Sequence, residues 1–184
     1  METYSKNVCE LKYEFVNAYK GNSHTTEILP NVPTESFFIN EKQLSLLHEF
    51  LNVNPIYTNH IIKKMSMNDY TIFEGDLNNY WIDSIKHDAS YAPFYPTWVL
   101  SAWGLALAAK NLGFEQIIDI GSGDGRIAYC GKTLGLESLS IEIDENLVNL
   151  QEDISEKTGV EFNPKCADAT IFNFEDIPSK KSIF

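Results

Sequence analysis

The chain has 184 residues, 43% apolar and 12% aromatic, enough for one buried core with a small appendage. Its formal charge is −12 and its single arginine is Arg126. Most of this surface would therefore repel a phosphate backbone, and bidentate guanine or phosphate recognition has almost nothing to work with, so nucleic acid is an unlikely partner. The acidity suits a basic protein partner or a small molecule, or serves solubility alone. Cys9, Cys130 and Cys166 are an odd number without C-x-x-C spacing and read as reduced thiols of a cytoplasmic protein. The four histidines are scattered, which argues against a metal site. The N-terminus METYSKNVCE lacks the apolar core of a signal peptide, and the longest apolar run, Trp98 to Ala109, falls short of a membrane span.

Residues 1 to about 35 mix polar, aromatic and turn residues and read as a loose lead-in with one helix around Glu10 to Tyr19. Glu41 to Leu51 carries Leu44, Leu47, Phe50 and Leu51 at helical spacing, and Asn54-Pro55 breaks it. Ile56 to Met65 reads as a further helix, while Tyr70 to Trp81 alternates too weakly for an assignment. The expectation is a mainly helical N-terminal extension over residues 1–90 and a second unit over 91–184, with the alternative that the extension simply continues the core.

Tyr91-Ala92-Pro93-Phe94-Tyr95-Pro96-Thr97 is held extended by its two prolines, and Thr97 suits the cap of the helix that follows. That helix, Trp98 to Leu112, is apolar nearly all round and should be buried on most sides, packed on the sheet just ahead of the next strand. Ile117-Ile118-Asp119-Ile120 is short and β-branched, as a buried parallel strand is. Gly121-Ser122-Gly123-Asp124-Gly125 turns the chain, since glycine reaches positive φ without strain and leaves the backbone bare to a ligand. A helix from Arg126 to Leu134, a strand from Leu139 to Ile143, a helix after Asp144 with Leu147, Leu150 and Ile154 on one face, and a strand from Val160 to Asn163 complete the pattern. Lys181 to Phe184 reads as the opening of a fourth strand.

Strand, glycine turn, helix and a strand ending in acid form the first half of a nucleotide-binding α/β unit. A dinucleotide fingerprint would need a third glycine at position 126, which is Arg126. The spacing here is G-x-G-x-G, with Asp119 two residues before the first glycine. Glu142, at the end of the next strand, is placed to hold a ribose diol, or is a solvated strand end. The bland alternative for the whole motif is a glycine-rich loop that binds nothing.

The order Asp119-Ile120-Gly121-Ser122-Gly123-Asp124-Gly125 resembles motif I of the class I S-adenosylmethionine (SAM) methyltransferases. Together with Tyr91 to Thr97 it is similar to the small archaeal protein-lysine methyltransferases related to the Dot-type histone lysine methyltransferases. The resemblance implies an α/β fold with a Rossmann-like sheet of strand order 3-2-1-4-5-7-6, SAM as cofactor, and methyl transfer to protein lysine. A small-molecule or RNA methyltransferase, or a non-catalytic interaction module that keeps the fold, are the alternatives. It further implies that Asp119 orders the loop and that Gly121, Ser122 and Gly123 pass the methionine part, with Gly125 closing the motif. Glu142 would take the ribose hydroxyls, Asp168 and Ala169 would border the adenine, and Tyr95 to Thr97 would close over the cofactor. Asp168 is alternatively a turn residue or helix cap. The chain supplies three strands of this sheet and the opening of a fourth, so a longer protein or a second chain is expected to complete it.

Overall fold

A computed structural model of the chain describes residues 1–65, 68–78 and 94–184. The boundary at residue 90, Trp81, and Tyr91 to Pro93 of the aromatic-proline loop lie outside these residues. The N-terminal part opens with helix α1 (Glu2–Ala18), which buries Tyr4, Leu11 and Phe15. Strand β1 (Thr25–Pro30) and helix α2 (Glu41–Val53) follow. A reciprocal capping box starts α2, with the Gln43 N–H on Asn40 Oδ1 at 3.0 Å and the Asn40 N–H on Gln43 Oε1 at 3.1 Å. The helix buries the expected Leu44, Leu47, Phe50 and Leu51.

The helical reading of Ile56 to Met65 is corrected by strand β2 (Tyr57–Met65), which pairs antiparallel with β3 (Asn68–Gly75). These form a three-stranded sheet of order β1-β3-β2. Position explains both the misread helix and the unassigned stretch. Strand β2 lies at the sheet edge with Ile61 and Ile62 exposed, so it has no buried face and no period. Central β3 buries Tyr70, Thr71, Ile72 and Phe73 consecutively, which erases alternation. Among the described residues the extension is therefore helix plus sheet rather than mainly helix.

Helix α3 (Val99–Asn111) is followed by β4 (Gln116–Ile120), α4 (Arg126–Thr133), β5 (Glu137–Glu142), α5 (Glu145–Thr158), β6 (Pro164–Cys166) and β7 (Ser182–Ile183). The four strands form a parallel sheet of order β6-β5-β4-β7, a Rossmann-like α/β arrangement matching the first four places of the expected order. Ile117 joins the main core on one face of β4, and Ile118 joins a small cluster with Leu139 and Ile141 on the other, covered by Ala167, Ala169, Phe172, Phe174 and Ile177. A strand buried on both faces reads as a continuous apolar run, as this one does.

Two details differ from expectation. Strand β6 begins at Pro164, because Asn163 adopts a left-handed φ of 51° that interrupts the extended path; Val160 and Phe162 before it enter the core instead. Helix α3 packs against α4, α1 and β1, which is why it is apolar on nearly every side. Thr97 is not its cap. Trp98 fills the cap position, and the Val99 N–H is instead taken by the Glu27 carboxylate at 2.9 Å. One main core joins residues from α1, α2 and β3 with residues from α3, α4 and α5. Among the described residues no helix is long and apolar enough to cross a membrane.

Candidate functional site

The glycine turn sits at the carboxyl end of β4, where the sheet order places β5 on one side and β7 on the other, the position at which open α/β sheets bind ligands. Gly121, Gly123 and Gly125 have φ of 68°, 58° and 76°, conformations that side chains disfavour. The Gly121 and Ser122 N–H groups donate to the Ile141 carbonyl at 2.9 and 3.2 Å, and the Gly125 N–H donates to the Ser122 carbonyl at 2.9 Å. Gly121 is exposed, and a Cβ there would meet nothing within 4 Å. Gly123 is covered: a Cβ would stand 2.2 Å from the Phe94 ring. Gly125 is packed just as closely, with Phe162 2.5 Å from a Cβ.

Two acids border the turn. Glu142, only 7% exposed, accepts the Gly123 N–H on Oε2 at 2.8 Å and the Ile143 and Asp144 N–H groups on Oε1 at 2.8 and 3.0 Å. Asp119 is 9% exposed, and its Oδ2 has no hydrogen-bond partner among the described residues. Burial pushes its carboxyl up to about 7; a hydrogen bond from the Ala128 backbone opposes this, and the charges of Asp124 and Glu142 add to it. Behind the turn, the fully buried Gln151 of α5 donates to the Gly123 carbonyl at 2.7 Å and to Ser122 Oγ at 3.0 Å. Its own carbonyl accepts from Ser140 Oγ at 2.5 Å.

The one arginine is internal. Arg126 is 3% exposed and makes a two-pronged pair with Asp124, Nε to Oδ1 at 2.8 Å and Nη2 to Oδ2 at 2.6 Å. It also donates to the Tyr57 hydroxyl at 3.0 Å, to the Glu27 carboxylate and to the Thr97 carbonyl. Burial works against its charge, but Asp124, Tyr57 and Glu27 hold its pKa well above the ordinary value.

Of the residues expected at the site, Asp119, Gly121, Ser122, Gly123, Gly125 and Glu142 come together around one turn. Thr97 lies beside it through its carbonyl on Arg126, and Tyr95 is 77% exposed. Asp168 Oδ1 accepts from the Thr170 N–H at 2.8 Å and the Thr170 hydroxyl at 2.7 Å, a local turn that holds its carboxyl below the usual range. Ala169 packs against the smaller cluster under β4 and β5. Sequence reasoning missed Gln151, Glu27 and the paired role of Asp124 and Arg126. Gln151 had a signal, since it falls on the buried face of its helix beside Leu147, Leu150 and Ile154.

No family model matches the chain, and no curated protein matches it. Among solved structures it is similar to a candidate RNA methyltransferase from Pyrococcus horikoshii at 23% identity, over 52% of this chain and 54% of that one, with a TM-score of 0.39. It is also similar to TehB from Haemophilus influenzae at 21% identity, over 56% of this chain and 33% of that one, with a TM-score of 0.32. The aligned part thus spans about half the length of the first and a third of the second.

Proposed function

We propose that this chain carries the SAM-binding part of a methyltransferase, with protein lysine as the acceptor. The observation behind this reading is the bare, exposed backbone of Gly121 at the end of β4, flanked by two buried acids, Asp119 and Glu142, at the ends of adjacent strands. The fit to the cofactor rests on two features. Space is open where a Gly121 side chain would stand, and Asp119 Oδ2 is a buried acceptor with no protein partner among the described residues.

When bound, SAM supplies an electrophilic sulfonium methyl. In this reading Gly121 and Ser122 hold the methionine part, Asp119 offers a carboxylate to its positive charge, and Glu142 turns a lone pair to the ribose. Asp168 and Ala169 border the adenine from the β6 side, and Tyr95 to Thr97 close the site from the other. The remaining task of the protein is to align the nucleophile and exclude water. A lysine acceptor must arrive deprotonated, which desolvation of its ammonium favours.

The formal charge of −12 favours a basic protein acceptor, and the burial of Arg126 removes the one guanidinium from the surface. RNA or a small molecule as acceptor is equally compatible with the geometry of the cofactor turn. The open outer edge of β7 is the place where a second chain would extend the sheet. The experiment is incubation of the protein with methyl-labelled SAM and, separately, basic protein, RNA and a metabolite mixture. Label on lysine supports the full reading, and label confined to RNA or a metabolite removes its lysine part. Absence of any calorimetric heat with SAM or S-adenosylhomocysteine would favour a non-catalytic interaction module.

A further inference from the structure

We infer that Arg126 and Glu27 are positioning residues of the glycine turn, so that the N-terminal extension builds the candidate site's shape rather than merely adjoining it. This goes beyond the methyltransferase reading and rests on it only where SAM is the probe. Asp124 stands between Gly123 and Gly125, and its carboxylate is completely buried. Arg126 grips both of its oxygens, and Asn54, at the end of α2, donates to Oδ2 at 2.9 Å. Asn54 is itself buried and fixed by the Ile56 N–H on its Oδ1 at 3.1 Å.

Arg126 is held in turn by the extension. Glu27 of β1 pairs with it, and Tyr57 of β2 donates to Glu27 at 3.4 Å while accepting from Arg126. The second Glu27 oxygen accepts the first N–H of α3, so a residue 72 positions away caps that helix and meets its positive end. Arg126 also takes the Thr97 carbonyl, which ties down the stretch whose Phe94 ring lies on Gly123. One guanidinium therefore joins both loops that border the site, the glycine turn through Asp124 and the aromatic-proline loop through Thr97.

The cluster holds one positive and two negative groups at 3% exposure or less. A buried arrangement of this kind depends on all its members, because removing one leaves an uncompensated charge. With Glu27 neutralised, α3 loses a charged cap and Arg126 loses its one charged partner among the described residues of the extension, keeping only the Tyr57 hydroxyl there. Asp124 then keeps Asn54 and a guanidinium held from elsewhere only by the Tyr57 hydroxyl and the Thr97 carbonyl, and the turn that carries Asp124 loosens with it.

The test is native-state hydrogen exchange on the full chain, comparing wild type, Glu27→Gln and Tyr57→Phe. Glu27→Gln keeps the size but removes the charge and turns one of the two accepting oxygens into an N–H donor, and Tyr57→Phe removes a hydroxyl while keeping all three charges. Exchange of the Gly123 and Gly125 amides should accelerate about ten-fold or more in Glu27→Gln, with amides of α1 and α5 unchanged, and less than about three-fold in Tyr57→Phe. Loop amides at wild-type rates, or a uniform acceleration across the molecule, would overturn the assignment. Should Glu27→Gln fail to fold, Arg126→Lys is read in the same way, and failure of both to fold also overturns it, since the network would then hold the fold and not the turn. In parallel, calorimetry with SAM should show about ten-fold weaker binding by Glu27→Gln, and equal affinity counts against the inference. If wild type takes up no SAM, the cofactor reading falls by itself and exchange at the turn decides the positioning role.

Discussion

The Glu142 carboxylate at the end of β5 accepts the amide proton of Gly123 at 2.8 Å, tying the last residue of one strand to the middle of the turn that follows its neighbour. The same side chain satisfies the Ile143 and Asp144 N–H groups, so one acid shapes both the turn and the start of α5. Replacing it with alanine deprives three amides of their acceptor. Glu142→Ala should weaken SAM binding by roughly 1 to 3 kcal/mol, the cost of losing charge-assisted hydrogen bonds. Isothermal titration of the folded variant measures this, and an unchanged affinity would show that Glu142 does not touch the ribose.

Gln151 supports the turn from behind with three polar contacts in a place that water does not reach. Gln151→Leu keeps the volume but leaves the Gly123 carbonyl and the Ser122 and Ser140 hydroxyls short of a partner. The expected cost is roughly 2 to 4 kcal/mol of stability, because unmade buried hydrogen bonds carry their full desolvation penalty. Urea unfolding checks it. A midpoint equal to that of wild type would mean the contacts contribute no net stability.

How legible these relationships were depended on how local they are. The run from Ile117 to Ile154 was readable because β-branched residues, glycines and helical spacing each act within a few residues of themselves, and the turn, α4 and α5 appear where those signals placed them. Strand β2 was not readable, since its two exposed isoleucines give it no buried face and pairing with β3 decides its state. Asp168 was open between two roles from sequence, and its bonds to Thr170 fill the turn role without deciding the other. The burial of Arg126 was invisible because its partner Glu27 is 99 residues away and no spacing rule connects them.

Asp119 makes stability depend on pH in a specific direction. Its folded carboxyl titrates near 7 against an ordinary value of 3.8, so the folded chain binds more protons than the unfolded chain between those limits. Stability from this group is therefore highest below about pH 4, falls as pH rises to about 7 and is constant above, a total of about 4 kcal/mol at most. Asp119→Asn should remove that slope, so the variant gains on wild type from pH 4 to 7 and keeps its advantage at pH 8. Denaturation at a series of pH values tests this, and parallel curves would contradict the assignment. A cation bound beside Asp119 favours its charged form, so SAM uptake should also release protons near neutral pH, seen as buffer-dependent calorimetric heats.

Gly121 and Gly125 separate folding from binding. Both have positive φ, but a Cβ at Gly125 would collide with Phe162 at 2.5 Å, whereas one at Gly121 would meet open space. Gly121→Ala should therefore cost only the backbone term, roughly 1 to 2 kcal/mol, and still fold. Gly125→Ala adds the clash and should lose roughly 3 kcal/mol or more. On the proposed reading, the methyl of Gly121→Ala stands where the methionine part of SAM would lie. The folded variant should then bind SAM at least about ten-fold more weakly. Melting curves and titration on the same samples distinguish the two effects, and a folded Gly121→Ala chain with wild-type affinity would place the cofactor somewhere other than against this backbone.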